Sequence, residues 1–248
     1  MTLLITGGTG TVGRPTVEAL QRAGLQPRIL SRRDGTNHVV ADLASGTGVA
    51  AALDGVTTLV HLATNRRSDA RATRTLLQAA HSAGVEHLIY LSIVGVDQVP
   101  LGYYRSKVEC EQLIAQSGVP FTVLRATQFH EFVADFLRPQ RRLPRVITLD
   151  VPVQPISTEA VAARLVELVH QQPSNGRVND LGGPEKLPLA EFARQWLAAR
   201  GAAPDEAQRR VVEWHAPGKL AAAFRAGLHT TGVPGPGIHF AQWAASES

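Results

Sequence analysis

A single cysteine, Cys110, among 248 residues excludes a disulfide framework and any metal site built from several thiolates. The nine histidines show no paired spacing with carboxylates of the zinc-helix kind, so no metal is expected. No G-x-S-x-G elbow occurs, which argues against a serine hydrolase. No stretch approaches the roughly 20 apolar residues of a membrane span. The apolar N-terminal run is too short for a secretory leader and leads straight into a glycine cluster. A cytoplasmic protein with no membrane contact is the expectation. Basic runs are missing too: net charge is +4, and the doublets Arg32-Arg33, Arg66-Arg67, Arg141-Arg142 and Arg209-Arg210 are scattered along the chain. Nucleic-acid binding needs a concentrated basic face, so no such partner is expected. Repeats, low-complexity tracts and a linker long enough to separate two independent domains are all absent. With 44% hydrophobic and 19% charged residues, the chain has the composition of one α/β domain, or a domain with a small appendage.

The informative stretch is the first thirteen residues, ending Ile5-Thr-Gly7-Gly-Thr-Gly10-Thr-Val-Gly13. Leu3-Leu4-Ile5 has the length and composition of a buried parallel strand, and Val12, Val17 and Leu20 recur at helical spacing after it. Strand, tight glycine turn and helix form the context in which a glycine fingerprint means dinucleotide binding. Gly7 lets the chain turn, Gly10 lets backbone approach a pyrophosphate, and Gly13 lets the helix pack closely. The helix N-terminus offers free N–H groups to the phosphates, and Pro15 is tolerated in its first turn. Gly7, Thr9, Gly10, Thr11, Val12 and Gly13 are the candidate cofactor contacts.

Further on, strands and helices alternate. Strands are expected at 26–31, 39–43, 57–62, 86–92 and 120–125, and helices at 49–53 and 69–83, with another starting near Tyr103. This alternation predicts an α/β fold, a doubly wound parallel sheet of Rossmann type. The expected division is residues 1–150 for nucleotide binding and 151–248 for a small substrate-binding portion packed on it as one compact unit. Past the second strand, Ser31-Arg32-Arg33 stands where an acidic residue would favour NAD; arginines there can pair with the 2′-phosphate of NADP. NADP(H) is therefore expected over NAD(H), with Arg32 the principal contact and Ser31 and Arg33 beside it. Two solvated loop arginines are the plainer alternative. Tyr103 and Lys107, four apart at a helix start, share one face. In the remaining third, a loop or lid is expected at 138–145, helices at 158–169, 189–199 and 220–228, a late strand and turn at 178–184, and a tail loop whose Phe240 and Trp243 dock back.

Thr-Gly-Gly-Thr-Gly-x-x-Gly at the N-terminus, with Tyr103-x-x-x-Lys107 about ninety residues later, resembles the short-chain dehydrogenase/reductase superfamily. The segments Ser92-Ile-Val-Gly-Val-Asp97 and Tyr103-Tyr-Arg-Ser-Lys107 are similar to its atypical, NmrA-like group. The resemblance implies that Tyr103 gives or takes a proton while Lys107 holds the nicotinamide ribose and lowers the tyrosine pKa. It also implies that Ala63 and Thr64 pass the nicotinamide ribose and pyrophosphate, and that Asp42 and Leu43 border the adenine. A turn or helix-cap role for Asp42 stands level with that. Gln128, Phe129 and His130, after the sixth strand, are implied as substrate-pocket residues; a structural His at a helix start is the plainer reading of His130. His61 reads as a strand-end residue packed beside the sheet. The third catalytic member is a hydroxyl just after the fifth strand. Here it is Ser92 or, depending on register, is replaced by Ile93. Tyr104 competes with Tyr103, since a one-residue change of helix phase would exchange them.

These residues imply an NADPH-dependent oxidoreductase acting on a small carbonyl, quinone or enone-type molecule, with secondary metabolism one setting that fits. Two alternatives use the same site. One is an NADP-binding redox sensor of NmrA type that would touch a protein partner. The other is a non-redox isomerase, dehydratase or cyclase.

Overall fold

The computed structural model describes residues 1–64 and 69–247. Asn65, expected in the turn after the fourth strand, and the Arg66-Arg67 doublet lie outside them. In chain order the elements are β1 (Leu3–Thr6), α1 (Gly13–Arg22), β2 (Arg28–Ser31), β3 (His38–Val40), α2 (Val49–Ala52), β4 (Thr58–His61), α3 (Asp69–Ser82) and β5 (His87–Ile93). There follow α4 (Gly102–Ala115), β6 (Phe121–Ala126), α5 (His130–Leu137), a 3-10 turn (Arg138–Gln140), β7 (Val146–Leu149), β8 (Pro152–Val153), α6 (Thr158–Val169) and β9 (Gly176–Arg177). The chain ends with β10 (Leu187–Pro188), α7 (Leu189–Ala198), α8 (Pro204–Arg210), β11 (Val211–Trp214), α9 (Lys219–Arg225) and α10 (Phe240–Ser246).

Contacts divide the chain into two units that interleave in sequence. The first is Met1–Ser92, Gly102–Arg125 and Val161–Asn179; the second is Ile93–Leu101, Ala126–Ala160 and Asp180–Ser248. A cut at residue 150 gives only the rough order of the two.

The first unit is an α/β Rossmann-like fold. Its sheet runs β3-β2-β1-β4-β5-β6-β9, through strands that pair in parallel. Every residue of β1 and β4 is buried, as strands covered by helices on both faces must be. Leu4, Leu59, Leu88 and Val123 of the sheet share a core with Leu76 and Ala80 of α3 and Ile114 of α4. Strand order reverses between β1 and β4, and the crevice outside the strand ends at such a reversal is where open α/β sheets bind ligands.

In the second unit β8 pairs antiparallel with β10, and β7 parallel with β11. Leu137, Phe192, Trp196, Phe240 and Trp243 build its core. Two expectations are corrected here. The tail is not all loop: Phe240, Trp243 and Ala244 are buried at helical spacing in α10, which a His239–Gln242 capping box starts. The late strand is β9, two residues before the expected start. Asn175 turns the chain with φ +48 and its side-chain oxygen accepts the Phe121 N–H, so pairing begins at once; Leu181 keeps only an isolated bridge to Ala126. The third strand also stops early, at Val40, because Asp42 turns the chain by accepting the Ala44 N–H at 2.9 Å. Among the described residues no helix is long and apolar enough to cross a membrane.

Candidate functional site

The glycine turn of the first unit is closed by hydrogen bonds from Gly10 N to the Gly7 carbonyl (3.0 Å) and from Arg14 N to the Gly10 carbonyl (3.1 Å). Gly7 has φ +72, and a side chain there would run into Ala63 N at 2.6 Å. A Cβ at Gly13 would lie 2.0 Å from the Gly7 carbonyl oxygen. No side chain larger than hydrogen fits at either place. Thr9, Gly10 and Thr11 are exposed at the open side of this turn, while Val12 is buried. The N-terminus of α1 has no side-chain cap and no acidic residue in its first turn. Bare N–H groups and a partial positive charge therefore face outward, the chemistry that a pyrophosphate meets. These residues fit a dinucleotide.

At the end of β2, Ser31 Oγ accepts the Arg33 N–H at 3.1 Å, and both Arg32 and Arg33 are exposed. Among the described residues no carboxylate forms an ion pair with either guanidinium, which leaves both facing solvent where a phosphate could meet them. Leu43 is buried beside the Asp42 turn.

Beyond β4, elements distant in sequence bring four polar groups together. Thr64 Oγ1 donates to Asp69 Oδ2 at 2.6 Å, and the Tyr103 hydroxyl lies 3.1 Å from the same Thr64 oxygen. Tyr103 is half-buried, whereas Tyr104 and Lys107 are buried on one side of α4 with Cys110 and Ile114. Burial and the nearby Tyr103 push Tyr104 up to about 12. The Lys107 ammonium sits 4.9 Å from the Tyr90 ring centroid. Burial pulls its pKa down, against the opposing pull of Asp69. Ser92 is buried, and among the described residues its Oγ has no hydrogen-bond partner.

Behind this group runs a buried polar chain that sequence reasoning did not foresee. His61 Nδ1 lies 2.7 Å from Thr6 Oγ1, its Nε2 lies 3.0 Å from Thr73 Oγ1, and Thr73 donates to Cys110 Sγ at 3.4 Å. Burial, reinforced by the Lys107 charge, takes the His61 pKa down to about 3, so this imidazole is neutral. The same Thr6 hydroxyl accepts the Ala63 N–H at 3.3 Å and so shapes the turn that carries Thr64. The available signal was threonine and cysteine at core-facing positions of otherwise apolar faces.

The candidates after β6 belong to the second unit. Gln128 Nε2 donates to the His229 carbonyl at 3.0 Å. Phe129 is partly exposed and precedes α5. His130 is fully buried against Phe240 and Trp243, with Nε2 3.1 Å from the Ile238 carbonyl. Burial lowers its pKa. This packing is that of an anchor for the C-terminal segment.

A family model described as NAD(P)H-binding matches residues 7–172. The chain is 33% identical over 205 residues to (4-alkanoyl-5-oxo-2,5-dihydrofuran-3-yl)methyl phosphate reductase of Streptomyces griseus, covering 78% of this chain and 72% of that one. It is 28% identical over 206 residues to photosystem II assembly factor Ycf39 of Trieres chinensis, covering 74% of this chain and 64% of that one, slightly under two thirds of its length. In fold it is similar to the NADPH-dependent quinone oxidoreductase QOR2 of Escherichia coli in complex with NADPH, with a TM-score of 0.80, 99% of both chains covered and 19% identity.

Proposed function

The chain belongs to the NAD(P)H-binding family, and on that footing we propose that it is an NADPH-dependent reductase of short-chain type acting on a small carbonyl, quinone or enone-type substrate. The observation that carries the reading is the hydrogen-bonded series Tyr103–Thr64–Asp69 beside buried Lys107. A threonine hydroxyl has one hydrogen, and an ionised carboxylate can only accept. With that hydrogen given to Asp69, Thr64 turns lone pairs toward Tyr103, and the phenol must be the donor. A hydrogen bond donated by the neutral phenol favours the protonated form. Tyr103 is thus held as an acid, the form a reduction requires.

When bound, the nicotinamide supplies the hydride. The Gly7–Gly13 turn and the start of α1 would hold the pyrophosphate, and Arg32 and Arg33 the 2′-phosphate that separates NADPH from NADH. Lys107 would hold the nicotinamide ribose. Tyr103 gives its proton to the substrate oxygen; Thr64 then swings its own hydrogen from Asp69 to the phenolate until water restores the proton. Gln128 and Phe129 are proposed on the substrate side, with His130 fixing the segment that carries them rather than moving a proton.

A second reading, a nucleotide-binding regulator, is favoured by Ile93 standing where a second hydroxyl is usual, and by the likeness to an assembly factor. Calorimetric titration with NADPH and NADH, followed by nicotinamide absorbance against a panel of quinones and aldehydes, separates the two. Tighter binding of NADPH and a turnover that Tyr103→Phe lowers by about 100-fold are expected. Tight binding with no oxidation across the panel would shift the case to the regulator, and binding of neither nucleotide would end both.

A further inference from the structure

The Arg141-Arg142 doublet meets Arg210, one member of a doublet far away in sequence, in the second unit. Arg141, Arg142, Arg200 and Arg210 line one cleft of about 520 Å³ together with Trp196 and Glu206. That volume lies within the range of small-molecule sites, roughly 300–1,000 Å³.

The cleft is fixed by its own contacts. The Arg200 guanidinium stacks 4.1 Å from the Trp196 ring centroid, and its NH1 donates to the Trp196 carbonyl at 3.2 Å. Arg210 donates to the carbonyls of Arg141 (3.0 Å) and Leu143 (2.9 Å), tying that loop to α8. Its other arm takes Glu206 at 3.1 Å.

Charge is unbalanced there. The one lining carboxylate is spent on Arg210, and among the described residues none pairs with Arg141, Arg142 or Arg200. Burial, with Arg138 and Arg141 close by and only Glu247 opposing them, holds the Arg200 pKa below its ordinary value. Among the described residues the buried Trp196 indole nitrogen has no hydrogen-bond acceptor. Helix dipoles account for part of this: Arg200 follows the end of α7 and Arg210 closes α8, where cations are favoured. They do not account for Arg141 and Arg142, which lie outside any helix.

We propose that this cleft is a binding site for a phosphate-bearing small molecule, a di- or polyphosphate, gripped through its oxygens by the guanidinium forks. Planar guanidinium matches phosphate bidentately, and such charge-assisted bonds are about twice as strong as neutral ones.

The test uses the full chain saturated with NADPH, so that the glycine turn is filled, titrated calorimetrically with inorganic pyrophosphate. One site per chain is expected, with Kd on the order of 0.1 mM at low salt, weakening as ionic strength rises. Arg141→Gln/Arg142→Gln, at two exposed positions, is expected to weaken pyrophosphate at least about tenfold while NADPH affinity and circular dichroism stay unchanged. Should the double variant unfold, Arg142→Glu alone serves the same purpose. No heat up to about 10 mM pyrophosphate, an unchanged affinity in the variants, or inorganic sulfate binding as tightly as pyrophosphate would each overturn the proposal.

Discussion

Tyr103 and Tyr104 are neighbours on α4, yet burial gives them different chemistry. Tyr104 is pushed up to about 12, and Tyr90, buried beside the Cys110 thiol, is pushed higher still. The chain holds three tyrosines in all. Tyrosinate absorbance near 295 nm reads all three phenols, and the difference between the wild-type and Tyr103→Phe titrations isolates the Tyr103 transition. Asp69→Asn takes away a negative charge and frees the Thr64 hydrogen to face the phenolate. The Tyr103 midpoint is then expected to fall by about one pH unit, with the alkaline limb of the turnover profile moving the same way. An unmoved midpoint would mean that Thr64 and Asp69 do not govern the phenol. Sequence spacing placed Tyr103 and Lys107 on one helix face, while packing groups Lys107 with Tyr104, Cys110 and Ile114 and leaves Tyr103 at the rim. Thr64 was legible as a small residue at a close approach. Its link to Tyr103 was not, because that bond spans 39 positions.

At the scale of elements, α4 is held to β6 by Glu111 and Arg125. Arg125 Nε lies 2.9 Å from Glu111 Oε1, and NH2 lies 2.7 Å from Oε2, with both side chains largely buried. Glu111→Gln keeps the volume but removes the negative charge from this buried bidentate pair. A loss of about 3 kcal/mol in chemical or thermal unfolding is expected, more than a surface pair would give. A loss under about 1 kcal/mol would mean that solvent screens the pair. The strands of the first unit were legible because each apolar run stops at a glycine or polar turn. The later elements were less so. α10 is only seven residues long and follows a glycine- and proline-rich stretch, so local propensity pointed to loop and burial of Phe240 and Trp243 decided for helix.

For the molecule as a whole, acid is the sensitive direction. His61, His87, His130 and His229 are buried, and burial lowers the pKa of each, to about 3 for His61 and about 4 for His229. Below the unfolded value of 6.5 the unfolded chain binds protons that the folded chain refuses. The stabilisation is therefore complete above about pH 6.5 and is lost as pH falls toward the folded values. At pH 5 His61 and His229 would each account for at most about 2 kcal/mol. Glu131, raised by burial, works the opposite way. A melting temperature that drops steadily from pH 7.5 to 5 is expected, and a flat one would show that these imidazoles titrate normally. At this scale the fold class was legible from the strand–helix alternation, but the partition was not. Which segment returns to which unit depends on pairings such as Thr122 with Gly176, between positions too far apart for any local pattern to register. The interleaving also bears on inheritance. The chain passes between its two units five times, so no single break in the gene separates them. A chain ending at residue 150 would lack β9 and bare the β6 edge, an open template for aggregation. New specificities in such a protein must arise by substitution in place, because neither half can be exchanged whole.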